Sequence, residues 1–166
     1  MKKSIIILSA LTMTVASFKT IRPEDRKLNS DAAAERMAQS VVNAFKHRSL
    51  EEYTALFPQV TSFLDLMDRN ANFYGTNLEE AKKEFEIQYT REVLPALNES
   101  FHAILAEGRK AGIDWTTIQL IRVDLGSKNE PTIITFSSQE REYHLQFKSP
   151  LLINGEWKVS QHVALV

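Results

Sequence analysis

Apolar positions recur at three- and four-residue spacing from about residue 30 to 110, then give way to strict alternation. A change from helical period to strand period predicts helices first and strands after. Ser30 or Asp31 caps the first expected helix, whose apolar positions are Ala34, Met37, Val41, Ala44 and Phe45. Ser49-Leu-Glu-Glu52 reads as a capping box, opening a short helix that Pro58 closes. A further short helix is expected from about Ser62 to Asn72, stopping before Gly75. Asn77-Leu-Glu-Glu80 repeats the capping logic and opens the longest periodic segment. There Leu78, Ala81, Phe85 and Tyr89 share one face before Pro95, and Leu94, Leu97, Phe101, Ile104 and Gly108 share one after it.

Length limits how that segment is read. Residues 78–111 as one straight helix would extend ~51 Å, since each residue adds about 1.5 Å. A compact domain of this size is only ~38 Å across. Pro95 lacks an amide hydrogen and crowds the preceding turn. A kink or break is therefore expected at Leu94-Pro95, with Gly108 and Gly112 ending the helix.

Beyond Gly112 the side chains become β-branched and alternating. Strands are expected over Thr116–Leu125, Thr132–Ser138 and Glu142–Lys148, with Gly126 to Pro131 as a turn. In the third, Tyr143, Leu145 and Phe147 fall on one face, and His144, Gln146 and Lys148 on the other, which marks a sheet with one packed side. Pro150 suggests an edge or bulge. Asn154-Gly155, between Leu151–Ile153 and Glu156–Val159, is the strongest hairpin signal, because both turn positions favour φ > 0. The last strand puts Trp157, Val159, Gln161 and Val163 on one face. The expected class is α+β, with N-terminal helices packed on a bent antiparallel sheet of about four strands.

The first residues read differently. Lys2 and Lys3 precede an uncharged run from Ser4 to Phe18 that contains Ile5-Ile6-Ile7-Leu8, and Thr14-Val15-Ala16-Ser17 offers small residues for cleavage. This is the secretory pattern, and the run is shorter than the ~20 apolar residues a spanning helix needs. The expected organisation is a signal peptide over 1–17, a polar linker over 18–29 interrupted by Pro23, and one domain over 30–166. The destination is periplasmic or secreted, with no stable membrane anchor after cleavage. No cysteine is present, so disulfides, thiolate nucleophiles, zinc-thiolate sites and a lipoprotein thioether are excluded. The net charge of −1 becomes −3 once Lys2 and Lys3 leave with the leader. A weakly acidic chain offers little to a phosphate backbone, so nucleic acid is not an expected partner.

The element order, with the final stretch LLINGEWKVSQ and the early segment AFKHRSLEEYTALF (44–57), resembles the NTF2-like (cystatin-like) superfamily. That resemblance implies helices wrapping a bent sheet into a cone whose open end becomes a ligand pocket or active site. Some members are proton-transfer isomerases, dehydratases or cyclases, and others are binding or assembly modules. Fold cannot choose between them.

Candidate chemistry is sparse. His144 and His162 lie on strand faces opposite the apolar ones and are expected at the surface. His47 is expected to cap the end of the first helix, where an imidazolium meets the negative end of the dipole. Glu99-Ser-Phe-His102 has the spacing of half a di-iron site, but no second pair completes it. HExxH, GxSxG, a P-loop and calcium loops are all missing, and the five glycines cannot build a dinucleotide fingerprint. No cofactor and no metal are expected. The pocket candidates are Tyr89 on the long helix's apolar stripe, His102 beside it, and Gln119, Trp157 and Gln161 on the inner sheet face. A buried amide needs a partner, whether protein, water or ligand. The leading expectation is an exported non-catalytic domain binding a small apolar ligand or a protein partner. The enzymatic alternative needs Asp65, Asp68, Asp124 or His102 inside a cavity. A third reading is an oligomeric interaction module, a homodimer through the sheet's outer face, which the polar side chains there disfavour.

Overall fold

The computed structural model describes residues 23–126, 130–148, 150–153, 156–159 and 163–166. The chain divides into two units, Met1–Asp31 and Ala32–Val166, and the core, the sheet and the cleft described below lie in the second. The architecture is α+β, with helices preceding a four-stranded antiparallel sheet. Among the described residues, no helix is long and apolar enough to cross a membrane.

Helix α1 (Pro23–Lys46) begins earlier than Ser30 or Asp31, so the expected linker is helical from Pro23 onward. A proline suits the first helical turn, where its missing amide hydrogen has no intrahelical partner to lose. Ala34, Met37, Ala38, Val41, Val42, Ala44 and Phe45 form its buried stripe. At its end Arg48 adopts φ 53°, Arg48 N donates to Phe45 O, and Ser49 N donates to Ala44 O. This paired-bond ending is a Schellman motif, with arginine in the left-handed position that glycine usually takes. Ser49 then caps α2 (Leu50–Ala55), accepting from Glu52 N at 3.1 Å.

Helices α3 (Val60–Arg69) and α4 (Ala71–Tyr74) and a 3-10 turn (Gly75–Asn77) lead into α5 (Leu78–Gln88). Asn77 occupies the cap position of α5 without making a side-chain cap bond, unlike Ser49. Where a kink or break was expected at Leu94-Pro95, the helix is not broken. Instead a π turn at Tyr89–Val93 connects α5 to α6 (Leu94–Lys110), and Leu94 N donates to Tyr89 O across the widened turn. The extra residue in that turn relieves the backbone next to Pro95 without ending the helix. Gly112, at φ 85°, ends α6 in a second Schellman motif, with Ile113 N on Gly108 O and Gly112 N on Arg109 O. Gly108 lies inside the helix and has a packing role instead. A Cβ there would enter the Trp115 ring.

The main sheet has the order β1-β2-β3-β6, from strands β1 (Gln119–Asp124), β2 (Thr132–Ser138), β3 (Arg141–Phe147) and β6 (Ala164–Leu165). All its pairings are antiparallel. Strands β4 (Leu151–Ile153) and β5 (Glu156–Lys158) pair separately as a small second sheet, with Ile153 opposite Glu156. The register between β1 and β2 shifts between Leu120 and Arg122, leaving Ile121 as an extra residue. That bulge reverses which residues of β1 face the core. Leu120 and Val123 pack against it, while Gln119 and Ile121 are exposed.

A continuous line of rings fills the space between the helices and the sheet. Phe45 lies 5.4 Å from Tyr53, 5.4 Å from Phe101 and 5.2 Å from Trp115, and the line continues through Phe136 to Tyr143. Such pairs add about 0.5–1.5 kcal/mol each beyond their area burial. The buried polar ends are paired: Trp115 Nε1 donates to Leu105 O at 3.1 Å, and Tyr53 Oη and Ser100 Oγ share a hydrogen bond at 3.2 Å.

Candidate functional site

The described residues contain a cleft of about 580 Å³ between α1, α2 and β5. One wall is a face of α1 carrying Arg36, Ser40, Asn43 and His47, spaced by four, three and four residues, the periodicity of one helical face. Met37, Ala55 and Leu56, the last two at the end of α2, and Glu156, Trp157 and Lys158 complete the lining. The lining mixes charged, polar and apolar side chains, and the cleft is half open to solvent.

Local backbone chemistry positions the charged groups. The complete capping box would turn the Glu52 carboxylate back to Ser49 N, but that amide already serves the end of α1. Glu52 instead holds His47 Nδ1, with both carboxylate oxygens at 3.0 Å. Lys158 Nζ lies 3.1 Å from the Glu156 carboxylate and donates to Ala55 O at 3.3 Å. Val159 N donates to Leu56 O at 2.9 Å, fastening the hairpin to α2. Arg36 has no carboxylate partner within the described residues.

A carboxylate-held imidazole can move protons, but the surroundings give it little leverage. The side chains of His47 and Glu52 are 54% and 45% exposed, and such pairs contribute only ~0–1 kcal/mol. The nearby hydroxyl, Ser40 Oγ, donates back into α1 to Arg36 O. No group of three or more His, Asp or Glu side chains with metal-holding geometry exists among the described residues.

The five pocket candidates scatter. Trp157 lines the cleft. Tyr89 is buried and donates its hydroxyl to Pro58 O at 3.1 Å, so it fastens the long helix to the loop after α2. Burial without a charged partner pushes its phenol pKa up. Gln119 is exposed because the bulge at Ile121 turns it away from the core. His102 is exposed, one residue off the buried stripe, with its ring edge against Phe101. Gln161 and His162 lie outside the described residues. Asp65, Asp68 and Asp124 are exposed, and neither they nor His102 line the cleft. His144 was expected in solvent but is half-buried, because Thr135 stands opposite it and its hydroxyl meets His144 Nδ1 at 3.2 Å. His47 follows the last residue of α1, and its partner is a side chain rather than the helix end alone.

The ring stack lies apart from the cleft, since none of Phe45, Tyr53, Phe101, Trp115 and Phe136 lines it. Sequence reasoning missed Arg36, Glu52 and Lys158 as cleft residues. The stripe Arg36, Ser40, Asn43, His47 was a visible signal, but a solvated helix face has the same pattern. No protein-family model, curated protein or solved structure matches the chain.

Proposed function

We propose that the domain is an exported, non-catalytic binding module that takes its partner in the cleft between α1, α2 and β5. The observation that carries this reading is the cleft's composition: an indole and the apolar side chains of Ala33, Met37, Ala55 and Leu56 beside charged groups of both signs, half open to solvent. Indole supplies a large contact area at low entropic cost, and the charges supply orientation. The ring stack from Phe45 through Trp115 to Phe136 favours a ligand lying along this surface over a small apolar molecule enclosed in a cone. Export rests on the leader at residues 2–18.

The test uses anilinonaphthalene sulfonate, a fluorescent probe with an apolar ring system and one negative charge. The expected result is saturable binding at one probe per chain, weakened about tenfold by Trp157→Ala while circular dichroism stays unchanged. Equal binding by the variant would remove the cleft from consideration. The other tryptophan, Trp115, is 1% exposed and serves as the internal control for folding.

A further inference from the structure

The cleft meets β5 along an edge. Glu156, Trp157 and Lys158 are consecutive, and all three border the cleft. Side chains of a strand alternate between its two faces, so a surface touching three in a row runs along the strand's margin. Among the described residues, β5 has β4 on one side and no strand on the other. Its other side faces the end of α2, to which the residue just after β5 is bonded, Val159 N donating to Leu56 O.

That bond also gives the direction of the neighbouring backbone groups. Along an antiparallel strand the N–H and C=O of successive residues point alternately to either side. Val159 N points away from β4, so Trp157, two residues earlier, turns its N–H and C=O the same way, into the cleft. No described residue closes either group. A donor and an acceptor spaced for one strand residue therefore stand at the centre of the cleft wall, with the Trp157 ring beside them.

On this basis we propose that the cleft binds an extended polypeptide segment, which adds to β5 as a further strand. This rests on the binding reading above and names its ligand class. The segment's backbone supplies the complementary carbonyl and amide, and alternate side chains of the added strand lie toward α1. Charge selects its sequence. His47 and Lys158 already face Glu52 and Glu156, whereas Arg36 has no carboxylate partner among the described residues. An acidic side chain on the incoming strand satisfies it, ideally as a two-point contact. The proposed ligand is thus an acidic peptide with apolar residues at alternate positions, in contact with Trp157, Met37 and Leu56.

The experiment uses full-length mature protein and four ten-residue synthetic peptides. One alternates glutamate and valine, one alternates lysine and valine, and two are the acidic peptide N-methylated on either all its valine or all its glutamate nitrogens. Fluorescence anisotropy of labelled peptides gives affinity, and amide NMR follows Trp157 N–H. The acidic peptide is expected to bind at one per chain and to shift the Trp157 amide. Arg36→Glu, an exposed substitution that leaves the core alone, is expected to weaken it about tenfold, as is at least one N-methylation pattern. The lysine peptide is expected to bind more weakly than the acidic one. If both N-methylated peptides bind as tightly as their parent, strand addition is overturned. If no peptide binds or displaces anilinonaphthalene sulfonate while that probe still senses Trp157→Ala, strand addition falls and the cleft remains. If the probe also fails, both readings fall together.

Discussion

Gly108 and Gly112 stand four residues apart at the end of the long helix, and only one of them terminates it. Gly112 takes the left-handed conformation, where a side chain is strained. Gly108 is regular helix, and its missing side chain is the space in which the Trp115 ring lies. Gly108→Ala is expected to destabilise the domain by about 1–3 kcal/mol, the usual range for overpacking a filled core. Urea unfolding checks this, and a loss below about 0.5 kcal/mol would mean the ring can step aside. Both glycines read as terminators in the sequence because helix periodicity carries no information about what packs across the helix. Ser49 was legible, since its cap bond to Glu52 N is local. The engagement of Glu52 with His47 was not, because it depends on α1 ending in a way that occupies Ser49 N.

The long helix divides at its π turn into two stretches with different fates. An added residue rotates the following face by roughly 100°, the angle one residue occupies in an α-helix. After the turn, α6 buries Leu97, Ser100, Phe101, Ile104, Leu105 and Gly108. Before it, α5 buries nothing completely, and neither does α3, its neighbour through the Phe63–Phe85 ring contact at 5.0 Å. Lys82 joins the two helices by pairing with Asp68 and Glu79, in ion pairs whose carboxylates are more than half exposed. Ile87 is 44% exposed and Leu94 37%. With so little apolar area removed from water, this helical arm is the low-stability part of the domain. In native-state hydrogen exchange, amides of α3 and α5 are expected to exchange through local opening, well ahead of those in β2, β3 and residues 97–108 of α6. Equal protection across these elements would show the arm to be part of the same cooperative unit. The sequence signalled a disturbance at Pro95 from sterics alone, but a break and a π turn answer the same steric problem. The burial of Tyr89 and its bond to Pro58 O fit the second solution.

At the scale of the whole molecule, the ring stack makes stability sensitive to alkali. Burial pushes the phenol of Tyr53 above its ordinary value of 10.0, partly offset by the Ser100 hydrogen bond, and burial raises Tyr89 in the same direction. The folded state thus keeps protons that the unfolded chain releases above that value. Stability is full below about pH 10 and falls as pH rises through and beyond it. Urea midpoints measured between about pH 9 and 12 are expected to decline, and less steeply for Tyr53→Phe, which has no proton to lose. Parallel slopes would assign the loss to other groups. The sequence by itself determined the order of helices and strands, the α+β class, the Ser49 cap and the β4–β5 pairing around Asn154-Gly155. These follow from period and local backbone preference, which act over a few residues. Tertiary structure decided that Ile121 bulges and turns Gln119 outward, that the rings of Phe45, Phe101, Trp115 and Phe136 stack on one another, and that the cleft joins residues 33–56 to 156–158. Each of these is a choice among packings between segments distant in sequence, and no local pattern distinguishes a helix face open to solvent from one that walls a cleft.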